Sequence, residues 1–165
     1  MTSIQKRKNS MFVVGLVLLD VVVKLIINLS SMGKKIINNK YLGFYPKLNT
    51  EQLSVFNNEW GMDISLSLLI LLNLFVLIVF VLIEKWMKQK FQEEKFIEYT
   101  VNCLYAGIIC SLIDKIFWGG SLDYIVIFER IVDLKDIYLV LSLYFYFIAA
   151  IKETMNGKKN KDQKA

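Results

Sequence analysis

Four apolar runs, residues 11–29, 64–83, 99–118 and 132–151, constrain this chain more than any other feature of its sequence. Each is long enough, or nearly so, to cross about 30 Å of hydrocarbon as an α-helix rising about 1.5 Å per residue. A 165-residue chain that is 55% hydrophobic and has positive mean hydropathy is too apolar for a soluble globule of one domain. The sequence predicts an all-α membrane protein with four transmembrane helices in residues 1–151, followed by a basic tail over 152–165 that is disordered beyond Gly157.

The lysines and arginines set the orientation. Twelve lie in the amino terminus, in the 84–95 connection and in the tail, and five lie in the alternate segments 30–63 and 119–131. The positive-inside rule therefore places both termini in the cytoplasm. The first run follows Lys6, Arg7 and Lys8 but contains Asp20 and Lys24 and has no small-x-small cleavage site, so it reads as a retained helix. The outer segment 30–63 carries Tyr41, Phe44, Tyr45, Val55, Phe56 and Trp60, a pattern expected of a small β-rich cradle on the membrane surface, interrupted by Pro46 near its middle.

Composition also limits the chemistry. The chain has no histidine, which removes Ser-His-Asp triads, Cys-His dyads and nearly every catalytic zinc site. Cys103 and Cys110 are seven residues apart on one helix face, too far to bridge, and read as small buried hydrophobes. The net charge of +5 is explained by lysines flanking apolar runs; there is no basic stripe with interleaved aromatics, so no nucleic-acid partner is expected.

Charges inside the membrane are expensive, about 2.5–3.5 kcal/mol at mid-bilayer on insertion scales, and mark candidate sites. Asp20 and Lys24 are spaced i,i+4 and can pair on one face of the first helix, which reads as an ion pair holding the bundle. Glu98 sits at an interface. The second run carries no charge and reads as a plain span, its polar side chains being Ser65, Ser67 and Asn73. The dense corner is at the outer ends of the third and fourth runs, where Asp114, Lys115, Asp123, Asp133, Lys135 and Asp136 fall within 23 residues. Asp133 and Asp136, at i,i+3, share a face, and Asp123 is on a tether short enough to return beside them. A solvated interfacial hairpin with compensating charges accounts for the same residues without chemistry. The functional reading is a pair of carboxylates in a low-dielectric site: both cannot ionise, so they share a proton and a water, one acting as base and the other as acid. That is aspartic-protease chemistry, and it needs neither metal nor cofactor.

The order of these motifs resembles the lipoprotein signal peptidase family, also called signal peptidase II, from about Leu16 to Ile151. The family's first helix carries Asp and, four residues later, Lys, as do Asp20 and Lys24. Its Asn-x-Gly-Ala-Ala-Phe element corresponds loosely to the stretch from Glu59 to Ser65, its Gly-Asn-x-x-Asp-Arg to the stretch from Cys110 to Lys115, its Gly-x-Val-x-Asp-Phe to Gly120 through Ile125, and its Phe-Asn-x-Ala-Asp to Val132 through Asp136. The resemblance implies four helices with an extracytoplasmic cradle and a multi-pass protein of the cell membrane. It further implies cleavage of prolipoproteins just before a diacylglyceryl-modified cysteine. Asp123 and Asp136 would be the catalytic pair, Asp20, Lys24 and Asp114 its polar support, with no cofactor and with membrane lipid and prolipoproteins as partners of a monomer.

Several positions depart from the family pattern. Glu59, Ser111 and Asp133 stand where the family has asparagine, Lys115 where it has arginine, and Lys135 where it has alanine. Lysine for arginine forfeits bidentate bonding. Asp133 adds a carboxylate to an acidic corner, and Lys135 is placed to offset it. The rival readings are a pseudo-enzyme that binds lipoproteins or a membrane partner, a Ser/Lys hydrolase built on Ser111 and Lys115, and a transporter component, which the apolar second helix and the 137–151 stretch disfavour.

Overall fold

The computed structural model describes residues 3–37, 41–50, 64–91, 95–128 and 130–162. The four apolar runs are four helices, α1 (Ser3–Ser30), α2 (Leu66–Lys90), α3 (Lys95–Phe117) and α4 (Leu134–Asp162). Each is long and apolar enough to cross a membrane, and the helix is the element that satisfies every backbone group within hydrocarbon. The protein is a multi-pass membrane protein.

The helices run further into their charged flanks than the hydropathy pattern alone predicts. α4 continues through Gly157 to Asp162, so the tail expected to be disordered is helical for most of its length. Lys and Met are good helix formers, and one glycine costs only about 1 kcal/mol, which does not end a helix already propagating.

α3 is the axle of the bundle and packs against α1, α2 and α4. Half of its membrane-length window is buried, against 11–22% for the other three. Its buried positions explain this: Thr100, Asn102, Cys103, Ala106, Gly107 and Cys110 are small or slim, which lets neighbouring helices approach without a hydrophobic drive between them. A Cβ on Gly107 would lie 2.7 Å from Leu139 Cδ2, so this glycine marks the close approach of α3 and α4. Cys103 and Cys110 are free and buried in the same cluster as Ala106 and Tyr138, as the spacing predicts. Leu18, Leu25, Leu71, Phe75, Leu82, Val140, Leu143 and Phe147 are exposed and coat the outside with apolar surface.

At one end of the bundle lies an antiparallel sheet of four strands in the order β1 (Ile36–Ile37), β2 (Leu42–Asn49), β3 (Ser121–Ile127), β4 (Arg130–Val132). The expected cradle after α1 is therefore present. Half of the sheet, however, comes from the α3–α4 connection, which the sequence reading treated as a tether. Its run Tyr124, Ile125, Val126, Ile127 is β-branched and aromatic, which suits a strand. Pro46 does not end β2. It is buried at a register shift between Phe44 and Lys47, where a bulge dispenses with its missing N–H.

Two glycines aim β3. Gly119 has φ +64°, a left-handed residue just past the end of α3. Gly120 abuts β2 so closely that an added Cβ would lie 2.5 Å from the carbonyl oxygen of Asn49. That oxygen belongs to backbone registered against Ser121 and cannot swing away as a side chain would. Gly120→Ala is expected to cost about 1–3 kcal/mol, read as a lower thermal midpoint in detergent. An unchanged midpoint would mean the strands part more easily than this contact implies.

Candidate active site

The sheet anchors by one face and offers the other. Leu122 and Tyr124 are buried with Ile27 of α1, which clamps β3 to the end of the bundle. Ser121 and Asp123, alternating with them, meet the head of α4.

Asp133 immediately precedes α4 and caps it. The N–H of Asp136 donates to Asp133 Oδ1 at 3.2 Å, and the N–H of Asp133 donates to Asp136 Oδ2 at 3.2 Å. This reciprocal capping box satisfies two donors that a helix start leaves free and fixes both carboxyl groups. The two aspartates are thus held by mutual backbone bonds, not by sharing a helix face as the i,i+3 spacing suggests.

Asp123 and Asp136, the pair expected from the sequence, converge. One carboxylate oxygen from each of Asp123, Asp133 and Asp136 lies within 4.8 Å of the others. Around Asp123 are three donors: Ser121 Oγ at 2.5 Å, Asn49 Nδ2 at 3.1 Å and Lys135 Nζ at 3.6 Å. The three carboxylates are close enough to hold a cation as a set, but the ammonium of Lys135, 2.5 Å from Asp133 Oδ2, already places positive charge there.

Beneath this lies a second cationic hub. Lys24 Nζ is 2.9 Å from Asp20, 2.7 Å from both oxygens of Asp114 and 2.6 Å from Asp133, and all four residues are fully buried. The ion pair expected between Asp20 and Lys24 is real, and it is one spoke of this hub. Lys135 lies 3.2 Å from Asp114 and so ties the two hubs together. Burial pushes the Asp133 carboxyl up, but Lys135 and Lys24 outweigh it and hold the group below the usual carboxylate range.

The sites reasoned from sequence are thus brought together, apart from Ser111, which pairs with Lys115 at 2.7 Å. Glu59 lies outside the described residues. Three polar residues of the site were not singled out as such. Ser121 is two residues before Asp123 and so on the same side of a strand. Asn49 is 74 residues from Asp123, with no local signal. Asn73, on the helix read as a plain span, lines the same cleft.

That cleft, of about 620 Å³, is bounded by Leu69, Leu72, Asn73 and Val76 of α2, by Lys115, and by Asp123, Asp136 and the β3–β4 strands. One wall is apolar and continuous with the exposed helix surface, and the opposite corner carries Asp123 and Asp136 together with Lys135 and Arg130.

A family model described as signal peptidase (SPase) II, Peptidase_A8, matches residues 12–152. Two solved structures share the fold. One, a bacterial membrane enzyme determined by the in meso method at 2.3 Å, has a TM-score of 0.66 and 21% identity over 90% of each chain. Another, described in the same words at 1.9 Å, has a TM-score of 0.62 and 20% identity, covering 88% of this chain and 93% of that one. No curated protein matches the chain.

Proposed function

The chain belongs to the signal peptidase II family, and we propose that it is an aspartic endopeptidase of the cell membrane that removes signal peptides from diacylglyceryl-modified prolipoproteins. The observation that carries this reading is the approach of Asp123 and Asp136, with carboxylate oxygens within 4.8 Å, at the mouth of a cleft whose other wall is apolar. A water hydrogen-bonded at about 2.8 Å to one oxygen of each can span that separation.

In this mechanism the scissile peptide lies extended across the pair. One carboxylate takes a proton from the water as its oxygen attacks the carbonyl carbon, and the other, protonated, donates to the carbonyl oxygen. Collapse of the tetrahedral intermediate breaks the C–N bond, and the proton held by the first carboxyl goes to the departing amine of the lipid-modified cysteine. Asp123, faced by Ser121, Asn49 and Lys135, is the member best placed to hold negative charge. Asp20, Lys24, Asp114 and Asp133 hold the head of α4 and β3 in register. The apolar wall receives the signal segment and the acyl chains from the bilayer side, and the enzyme acts as a monomer, both termini in the cytoplasm.

A Ser/Lys mechanism has one observation in its favour, the 2.7 Å contact between Lys115 Nζ and Ser111 Oγ. The amine also lies 3.2 Å from the Ser111 carbonyl, an acceptor that competes with the hydroxyl for it. Incubation of the purified protein in detergent with a diacylated prolipoprotein is expected to release the signal peptide, and Ser111→Ala to retain the rate within about twofold. A loss of about 10³-fold in Ser111→Ala would transfer the chemistry to the serine. No cleavage, beside a working family member, would favour a lipoprotein-binding pseudo-peptidase.

A further inference from the structure

We infer that Asn73 is a substrate-positioning residue that donates a hydrogen bond to a carbonyl at the end of the signal-peptide helix. This rests on the peptidase reading and deepens it.

Asn73 is out of place by the ordinary rules of a lipid-facing helix. α2 carries no charge from Leu66 to Ile83, and among its membrane residues Asn73 is the one carboxamide. Its Nδ2 is buried and has no hydrogen-bond partner among the described residues. A buried donor without an acceptor is a standing cost, and such groups call for a reason. Asn73 lines the cleft that Asp123 and Asp136 also line, between Leu69, Leu72 and Val76. Rotation about χ2, which exchanges Nδ2 with the accessible Oδ1, brings the unmet donor to the wall that a substrate would cover.

The substrate supplies the matching acceptor. A signal segment crosses hydrocarbon as a helix, yet the bond to be cut must be extended to reach two aspartates, so the helix has to end just before it. The last four carbonyls of a helix lack intrahelical partners, and in hydrocarbon no water replaces them. Asn73 lies seven residues into α2, about 10 Å below its sheet end at about 1.5 Å per residue. That is the level, inward of the aspartate pair, at which such a helix would break. The lipid-bearing cysteine lies on the other side of the scissile bond and would sit outward of it. Lys115, at the same cleft, is a cation suited to the negative end of the same helix.

The test measures binding apart from turnover. A fluorescent diacylated prolipoprotein peptide is titrated into Asp123→Asn protein with and without Asn73→Leu. Kd is expected to rise about tenfold, the loss typical when a buried carbonyl is left unpaired, while the thermal midpoint of the free protein is unchanged or higher, since leucine removes an unpaired amide. In the otherwise wild-type enzyme Asn73→Leu should raise KM and leave kcat within about twofold, the mark of lost uniform binding. An ether-linked dialkylglyceryl peptide, which has no ester carbonyls, should show the same penalty. An unchanged Kd, or a penalty confined to the ester-linked peptide, overturns the inference. If the wild type cleaves nothing but the Kd penalty is present, the peptidase reading falls and the role of Asn73 in peptide binding stands.

Discussion

Asp123→Asn and Asp136→Asn are each expected to lower cleavage of a diacylated prolipoprotein by about 10³–10⁴-fold, near the upper range of what a positioned acid or base contributes. In the proposed mechanism the two carboxyls act as one unit on one water, so the double variant should be scarcely slower than either single one. Folding is a fair control because both replacements keep an acceptor where the structure uses one. At 136 the asparagine oxygen can still accept from the Asp133 N–H, and at 123 one oxygen remains for Ser121 or Asn49. Thermal midpoints in detergent should therefore fall by only a few degrees, while activity all but vanishes. Cleavage by either variant at a tenth of the wild-type rate or more would remove the pair from the chemistry and direct attention to Ser111 and Lys115.

What could be foreseen of this site follows from how far apart its members lie in the chain. Asp20 and Lys24 are one helical turn apart, so their pairing is a matter of periodicity, and the structure has it at 2.9 Å. That Lys24 also holds Asp114 and Asp133, at sequence distances of 90 and 109, depends on how three helices pack, which no local pattern encodes. The four spans were legible because hydrocarbon admits little besides a helix. Their extensions beyond the first charges were not, since hydropathy measures where lipid ends and says nothing of where a helix ends. The hairpin β3–β4 is short, and its strand signal was masked by the charges that drew notice to the same stretch. Asn73 was visible as a residue but not as a site. A single amide in an apolar helix acquires meaning only when a cleft is found beside it.

The pair Asp133 and Lys135, standing where the resembling motif has asparagine and alanine, should behave as one coupled substitution. Asp133 faces Lys24 at 2.6 Å and Lys135 at 2.5 Å, and both it and Lys24 are fully buried. Removing one partner of a buried pair strands the other, at about 3–5 kcal/mol. Asp133→Asn keeps the cap on α4, because asparagine is as good an N-cap as aspartate, but leaves Lys135 with less compensation. Lys135→Ala leaves Asp133 leaning on Lys24 alone and takes the cation from beside Asp123. In Asp133→Asn/Lys135→Ala, Lys24 retains Asp20 and Asp114, and Asp123, which loses Lys135 as it does in the single variant, keeps Ser121 and Asn49 as donors. The double variant should thus be more stable than the sum of the single losses allows, with a coupling of about 0.5–3 kcal/mol, read from thermal midpoints at about 2–4 °C per kcal/mol for a chain of this size. The pH dependence follows the same logic. Lys135 and Lys24 hold the folded Asp133 carboxyl below its unfolded value of about 3.9, so its contribution is complete above that pH and is lost as pH falls through the lower, folded value. Wild type should lose part of its stability below about pH 4, and Asp133→Asn should lack that part of the acid limb. Strict additivity of the two substitutions, with an acid limb unchanged by Asp133→Asn, would mean that the two residues do not share their charge.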